Sequence, residues 1–352
     1  IIGPWRGKAK QLVSFRGALK KWQKLTGWPI LADPLSGVEN DQEGLINHWD
    51  LFFSIGLFEK IKEIQVLRLG PIPPSRELQT WLKKPGKFQL LITEGDCRNL
   101  DPIGGSTQFS EGFSYWVDKL LEGITEKPAI DKKIVSQKLT KELIKYDLFI
   151  HDWLDKRLFR NGLITEPALA RLLPRLLPDS IPVMIASSSP IRDWLSYSGE
   201  GASLRRCFGF RGASGIDGTL SMGMGLSIIM GRMVLVTGDL ALLHDTNGWL
   251  FSKDKNISLI VIMIDNGGGG IFNQLNIDRI EEGDFEEIFL MPQQVCHLTL
   301  AKAYGLKYKQ VACLDDLEQA IEWSFSLSTN VLIRVCTNSV EDNTLRVSLR
   351  ED

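Results

Sequence analysis

Two apolar runs, each ending at a polar corner, constrain the fold of this chain more than any other feature. Residues 233–237 (MVLVT) lead to Asp239, and residues 257–264 (ISLIVIMI) lead to Asn266. Runs so rich in β-branched residues are typical of strands buried on both faces of a parallel sheet. The intervening residues 241–253 are long enough for one crossover helix, so both strands should end at the same sheet edge.

The polar corners at this edge have the chemistry of a divalent-metal site. Mg²⁺ prefers oxygen ligands and usually takes one or two protein carboxylates, with carbonyls, water and phosphate oxygens completing its shell. Asp239 supplies a carboxylate and Asn266 an amide oxygen. The glycines at 267–270 allow the backbone to approach an anion closely. The sequence therefore predicts a cation that holds a diphosphate here.

Composition and charge describe an ordinary globular protein of about two domains. The 352 residues are 43% hydrophobic and 24% charged, and the net charge of −2 argues against nucleic-acid or membrane-surface partners. The longest apolar run is far too short to span a bilayer. The five cysteines never have CxxC spacing and predict free thiols in a reducing compartment, which favours the cytoplasm. The four histidines are dispersed, which argues against a zinc site.

Alternating patterns in the front half predict a small parallel-sheet domain. Helices are expected at residues 45–53 and 75–84, with Ser75 as the N-cap of the second. Strands are expected at residues 64–69 and 88–93. The turns between them lack G-x-G-x-x-G, so nothing supports a dinucleotide site.

The whole chain is predicted to be α/β, with two doubly wound parallel-sheet domains joined by a helical connector. A charged helical region follows residue 136, and the strand predicted at 181–186 opens the second sheet. The expected boundaries are 1–115 for the first domain, 116–135 for the connector and 136–352 for the second domain.

Six segments carry a resemblance to a known family. They are residues 25–33 (LTGWPILAD), 187–193 (SSSPIRD), 211–218 (RGASGIDG), 238–241 (GDLA), 266–272 (NGGGGIF) and 290–293 (LMPQ). The chain resembles the thiamine-diphosphate-dependent synthases that make 2-succinyl-5-enolpyruvyl-6-hydroxy-3-cyclohexene-1-carboxylate (SEPHCHC) for menaquinone and phylloquinone. The resemblance covers essentially the whole chain. The RGASGIDG segment is specific to this branch, whereas the acid and amide pair belongs to thiamine-diphosphate enzymes in general.

The resemblance implies a fold, a reaction and an assembly. Members of the family contain a pyrimidine-binding, a middle and a diphosphate-binding domain, and this chain corresponds to the last two. It begins without an initiator Met, so a fragment is expected. No catalytic residue is expected within it, because the activating glutamate belongs to the first domain. The implied reaction adds the decarboxylated 2-oxoglutarate unit to isochorismate, in a homodimer or homotetramer.

The resemblance also assigns residues to the site. Mg²⁺ or Mn²⁺ would be held by Asp239, Asn266 and the backbone oxygen of Gly268. Thiamine diphosphate would contact Ser188, Ser214, Gly215, Ile216, Gly238, Asp239, Leu240, Asn266 and Ile271. The substrates would contact Arg192, Arg211, Ile271, Phe272 and Leu275. Arginine suits this role because its planar group pairs with carboxylates through two hydrogen bonds.

Two other functions fit the same residues. One is a different thiamine-diphosphate enzyme, such as a 2-oxo acid decarboxylase or an acetohydroxyacid-synthase type. The other is a non-catalytic module that binds phosphate or mediates oligomerisation. The family commonly has Asn where Asp265 and Gly267 stand here, and the glycine run leaves the choice of ligating carbonyl open by one residue.

Overall fold

The structure of the chain is a computed structural model that describes residues 1–61, 64–123, 130–159, 162–200, 205–210, 214–275 and 282–351. These residues form two compact units, Ile1–Leu154 (unit 1) and Asp155–Asp352 (unit 2). The division falls within one long helix, Ile130–Leu158, and that helix also contains the boundary expected at residue 136. No helix in the described ranges has both the length and the apolar character needed to cross a membrane.

Unit 1 contains two small parallel sheets. Its strands are β1 (Ile30–Leu31), β2 (Leu45–Ile46), β3 (Ile64–Leu69), β4 (Lys87–Ile92) and β5 (Ser106–Phe109). Its helices are α1 (Leu12–Thr26), α2 (Trp49–Ser54), α3 (Arg76–Lys83), α4 (Phe113–Gly123) and most of α5 (Ile130–Leu158). Strand β1 pairs with β2, and β3, β4 and β5 form the second sheet in that order. Ser75 caps α3 as predicted, since its side chain accepts a hydrogen bond from the Leu78 N–H.

The helix predicted at residues 45–53 is wrong in its first half. Residues Leu45–Ile46 form strand β2, and the helix begins only at Trp49. The reason is a long-range contact, because the backbone N–H groups of Asn47 and His48 donate to the Asp147 carboxylate at 3.0 and 2.8 Å. Those donors hold the chain in a turn that the local sequence does not signal.

Unit 2 contains one six-stranded sheet with helices between its strands. Its strands are β6 (Val183–Ile185), β7 (Cys207–Phe208), β8 (Met233–Gly238), β9 (Leu259–Asp265), β10 (Lys307–Val311) and β11 (Val331–Cys336). Its helices are α6 (Glu166–Leu176), α7 (Ser189–Tyr197), α8 (Thr219–Met230), α9 (Asp239–His244), α10 (Glu282–Phe285), α11 (His297–Ala303), α12 (Leu314–Ser326) and α13 (Ser339–Glu351). The strand order is β10-β11-β9-β8-β6-β7.

Every neighbouring pair in this sheet is parallel, and β8 lies beside β9 as the sequence predicts. Gly238 at the end of β8 is in register with Ile264 near the end of β9. Both polar corners therefore lie at the carboxyl edge of the sheet, where ligands bind in open α/β folds. The predicted fold class, α/β with parallel sheets, is confirmed.

The single crossover helix predicted at residues 241–253 is wrong. The chain forms the short helix α9 and then a separate 3₁₀ helix, Thr246–Phe251. The Thr246 hydroxyl donates to the carbonyls of Leu242 and Leu243 in the last turn of α9. These side-chain hydrogen bonds replace backbone ones, so the helix ends there. Gly248 then packs so closely on α8 that a Cβ atom would lie 3.0 Å from Leu220.

Candidate cofactor site at the strand ends

Asp239 is the first residue after β8 and the first residue of α9. It is only 5% exposed, and its carboxylate accepts the Leu240 N–H at 2.7 Å. Burial raises the pKa of Asp239 to about 7; hydrogen bonds from the Leu240 and Gly268 N–H groups oppose the shift, while neighbouring Asp265 increases it. Asp239 is therefore a buried carboxylate whose charge is not compensated, which is the electrostatic condition for attracting a cation.

Asn266, the first residue after β9, has one satisfied and one unsatisfied polar atom. Its Nδ2 atom donates to the Glu166 carboxylate. Its Oδ1 atom is buried and has no hydrogen-bond partner among the described residues. A buried acceptor without a partner costs about 1–3 kcal/mol, so it marks a place where a missing ligand belongs.

The glycines after Asn266 are required by sterics. Gly267 and Gly268 have φ values of 84° and 134°, which residues with a side chain rarely adopt. A Cβ atom on Gly268 would lie 2.1 Å from the carbonyl oxygen of Leu290, and one on Gly270 would lie 2.6 Å from Asn266 Nδ2. The run thus lets the loop approach its neighbours and gives the Asn266 side chain its space.

The third ligand predicted from the resemblance, the Gly268 carbonyl, belongs to the same loop. Its oxygen accepts the Gly270 N–H at 3.0 Å, while the Gly268 N–H donates toward Asp239. A carboxylate, an amide oxygen and a carbonyl are the hard oxygen donors that Mg²⁺ and Mn²⁺ take. These residues therefore fit a divalent cation. No separate cluster of three or more His, Cys, Asp or Glu side chains forms a metal site within the described ranges.

Ser188 lies at the same edge, because it follows β6, the other neighbour of β8. Ile185 pairs with Val236, so Ser188 and Asp239 each lie three residues beyond that register position. Ser188 has a φ of 81°, unusual for a residue with a side chain, and its carbonyl accepts Arg192 Nη1 at 2.7 Å. The flanking hydroxyls, on Ser187 and Ser189, are buried without a partner among the described residues.

The glycine-rich segment before α8 contains three residues assigned to the cofactor, Ser214, Gly215 and Ile216. Ser214 and Gly215 are exposed and Ile216 is half-buried. The Asp217 carboxylate lies 3.3 Å from the imidazole of His244, the last residue of α9, and this contact links the segment to the helix that begins at Asp239. Arg211, predicted to bind a substrate carboxylate, lies outside the described residues.

Three apolar residues assigned to the site follow the glycine run. Ile271 and Phe272 lie in the 3₁₀ helix Gly270–Gln274, and Leu275 ends it. All three are half-buried, and Phe272 packs edge-on against Phe289 with ring centroids 5.4 Å apart. They lie on the same loop as Asn266 and form apolar surface beside the strand end.

Sequence reasoning missed the charged residues behind the site. Asp265 accepts Arg334 Nε at 2.7 Å, and His297 lies 3.8 Å away. Behind Asn266, a buried cluster contains Glu166, Asp193, Asp342 and Arg346. Asp193 belongs to the SSSPIRD segment and so had a signal in the sequence. Asp342 and Arg346 lie one turn apart in α13, but Glu166 is distant from both along the chain, and no local pattern points to its contact with them.

Comparisons with known proteins show which family the chain is similar to. Residues 197–335 match the family described as thiamine pyrophosphate enzyme, C-terminal TPP binding domain. Relatives named SEPHCHC synthase include those of Prochlorococcus marinus strain NATL1A (94% identical over the whole chain), strain MIT 9313 (50%, whole chain) and Synechococcus sp. strain CC9902 (45% over 99% of the chain). The chain spans 59% of the first relative's length and 60% of the other two. The predicted resemblance is confirmed.

Proposed function

We propose that this chain, whose residues 197–335 match the thiamine pyrophosphate enzyme family, binds thiamine diphosphate through Mg²⁺ or Mn²⁺ at the ends of β8 and β9. One observation carries the proposal. The buried Oδ1 of Asn266 lacks a partner among the described residues, on the loop that contacts the uncompensated carboxylate of Asp239. A hard cation satisfies both groups at once.

The cation would be held by Asp239, Asn266 and the Gly268 carbonyl, with diphosphate oxygens and water as its remaining ligands. The diphosphate and the ring attached to it would lie along the neighbouring loops. Further contacts would come from Ser188, Ser214, Gly215, Ile216, Gly238, Leu240 and Ile271.

For the whole protein we propose the reaction of the SEPHCHC synthases. 2-Oxoglutarate loses CO₂, and its remaining four-carbon unit becomes bonded to isochorismate. Bound thiamine diphosphate supplies the electron sink that this chemistry requires. The activating glutamate is expected outside these residues, so the contribution of this chain is to hold the cofactor and to neutralise charge.

Both substrates are polyanions, which gives the arginines their role. The Arg192 side chain is exposed and its Nη1 is hydrogen-bonded to the Ser188 carbonyl, an arrangement that supports a guanidinium held at the strand end. Arg192 and Arg211 would pair with substrate carboxylates. Ile271, Phe272 and Leu275 would form the apolar wall of the pocket and limit the access of water.

We further propose that the whole protein works as a homodimer or homotetramer in the cytoplasm. All five cysteines are free thiols, which supports a reducing compartment. The net charge of −2 offers no general attraction to nucleic acid or to an anionic membrane surface.

Calorimetry tests the cofactor proposal. Thiamine diphosphate is titrated into the chain with Mg²⁺ present, and Asp239→Ala is compared with the wild type. The variant should bind at least roughly 10- to 100-fold more weakly, because a charge-assisted contact is worth about 1.5–3 kcal/mol. Identical binding heats for both proteins would instead favour a module that does not use this site.

A substrate assay tests the reaction. The chain is fused to the preceding part of the NATL1A relative, and CO₂ release is measured with 2-oxoglutarate plus isochorismate or with pyruvate. We expect turnover only with the first pair. Turnover with pyruvate alone would indicate a decarboxylase or an acetohydroxyacid-synthase type of enzyme.

A further inference from the structure

Glu166, the first residue of α6, touches a proposed metal ligand without being one itself. It is 2% exposed. Its Oε1 atom accepts the hydrogen bond from Asn266 Nδ2, and its Oε2 atom accepts Arg346 Nη2 at 2.6 Å. Both of its oxygens therefore accept from donors, and one of those donors is the nitrogen of the Asn266 amide, whose oxygen has no partner among the described residues.

The chemistry of the two side chains fixes the orientation of the amide. An asparagine amide has a donor end and an acceptor end of nearly the same shape, whereas an ionised carboxylate only accepts. Turning the Asn266 amide over would set its oxygen against a Glu166 oxygen, two buried acceptors without a proton between them. Glu166 therefore determines that the oxygen of Asn266, and not its nitrogen, is left for a ligand.

The position of Glu166 is itself strongly determined. Arg346, which is 5% exposed, donates through Nε and Nη2 to the two oxygens of Asp193 at 2.9 and 2.5 Å, while Nη2 also reaches Glu166. The backbone N–H of Glu166 donates to Asp342 at 2.8 Å. A planar guanidinium bonded to two carboxylates leaves little rotational freedom to either.

We propose that Glu166 is a positioning residue that holds the Asn266 amide with its oxygen toward the divalent cation, and that Arg346 and Asp193 hold Glu166 in that role. This inference rests on the proposed function, since it presupposes a cation bound at Asp239 and Asn266. Groups that orient a metal ligand typically change metal affinity by about 10- to 100-fold when they are removed.

The first test is the Mg²⁺ affinity of the chain, measured by calorimetry with saturating thiamine diphosphate. Glu166→Gln keeps the shape of the side chain but lets the Asn266 amide adopt either orientation, so Mg²⁺ should bind about 10- to 100-fold more weakly. The matched control is Glu94→Gln in unit 1, where another partly buried glutamate accepts the Phe113 N–H at 2.9 Å. That control should bind Mg²⁺ as the wild type does.

The second test separates orientation from a merely structural role. A carboxylate at position 266 presents oxygen in either orientation, so Asn266→Asp should strengthen Mg²⁺ binding about 10-fold when it is added to Glu166→Gln. In the wild-type background the same change sets two carboxylates against each other and should give no gain. Equal effects of Asn266→Asp in both backgrounds would overturn the proposal.

The remaining outcomes are also decisive. Should Glu166→Gln fail to fold, as judged by circular dichroism, Glu166→Asp keeps a carboxylate on a shorter side chain and should lose about 10-fold in Mg²⁺ affinity. Affinity within about twofold of the wild type in either variant, with Asp239→Ala impaired, overturns only the role of Glu166. A wild type that binds no Mg²⁺ with thiamine diphosphate, or an unimpaired Asp239→Ala, overturns the proposed function and this inference together.

Discussion

Two buried carboxylates of unit 1, Asp101 and Asp147, differ from two of unit 2, Asp239 and Asp342, in the direction of their pKa shifts. In unit 1, burial alone would raise the pKa of Asp101, but hydrogen bonds from Ser106 and Arg68 outweigh it and lower that pKa to about 2. Asp147 behaves similarly: burial would raise its pKa, but the contacts with His48 and the hydrogen bonds from the Asn47 and His48 N–H groups together outweigh burial and lower it. In unit 2, burial raises the pKa of Asp239 to about 7 and that of Asp342 to about 8.

We interpret this difference as separating carboxylates that stabilise the fold from carboxylates that are available to bind a ligand. Asp101 and Asp147 of unit 1 accept hydrogen bonds from donors within the protein, so their ionised forms stabilise the folded chain without a ligand. In unit 2 the donors do not outweigh burial: Asp342 accepts the Glu166 N–H and Asp239 accepts the Leu240 N–H, yet the pKa of each stays raised. Uncompensated buried groups that cluster at a sheet edge are characteristic of a ligand site.

The largest expected effect is on the free energy of unfolding, and it comes from Asp101, a carboxylate with hydrogen-bond donors within unit 1. Asp101→Ala should lower the free energy of unfolding by about 3–5 kcal/mol, because it leaves the buried Arg68 guanidinium without its counter-charge at 2.8 Å. Chemical denaturation measures this loss, and the Mg²⁺ affinity of the folded fraction should stay unchanged. A loss below about 1 kcal/mol would contradict the assignment of Asp101 to stability.

Asp342 gives the next effect, as a dependence of stability on pH. Its folded pKa of about 8 lies above the ordinary 3.8, so the folded chain keeps a proton that the unfolded chain releases. The associated stability is present below about pH 4 and is lost as pH rises toward 8.

Asp342→Asn cannot lose that proton. With chelator present, stability between pH 6 and 8 should fall more steeply in the wild type than in Asp342→Asn, by up to about 1.4 kcal/mol per pH unit. Above pH 8 the two slopes should converge. Parallel curves across the whole range, measured by urea unfolding, would show that Asp342 is ionised at neutral pH.

Gly270→Ala sharpens the comparison at the site itself. The added Cβ would lie 2.6 Å from Asn266 Nδ2, so it should displace the amide and weaken Mg²⁺ binding by about 10-fold. Gly225→Ala is the matched control, because no atom lies within 4 Å of the Cβ it would add. That control should leave Mg²⁺ affinity unchanged and stabilise α8 by up to about 1 kcal/mol.

Ser75→Ala should have the smallest effect. It removes the side-chain acceptor for the Leu78 N–H at 3.0 Å and should cost about 1 kcal/mol of stability. Mg²⁺ affinity should not change, since the cap lies in unit 1. Denaturation and calorimetry on the same sample check both parts, and a change in Mg²⁺ affinity would argue against the separation of roles.

The sequence predicted those parts of the fold that depend on local pattern. The β-branched runs at β8 and β9 predicted two adjacent parallel strands, because buried parallel strands are nearly continuous in apolar residues. Ser75 predicted a helix start, because its chemistry acts within one turn. The second half of the crossover could not be predicted, since the hydroxyl of Thr246 and the packing of Gly248 on Leu220 decide it.

The sequence predicted the site residues that follow strands but not those that only tertiary contacts bring together. Asp239 and Asn266 were recognisable because each directly follows a strand, so the topology alone brings them to one edge. Glu166 and Arg346 were not recognisable, because only the folded unit brings them to Asn266 and Asp193. The roles of the site residues remain predictions that the substitutions above test.

A crystal structure of the chain with Mn²⁺ and thiamine diphosphate, with the cation located by anomalous scattering, tests the central claim most directly. We expect the Mn²⁺ peak roughly 2.1 Å from a carboxylate oxygen of Asp239 and from Oδ1 of Asn266, with diphosphate oxygens in the same shell. A peak bound elsewhere, or a diphosphate held without a cation between these two strand ends, would contradict the account.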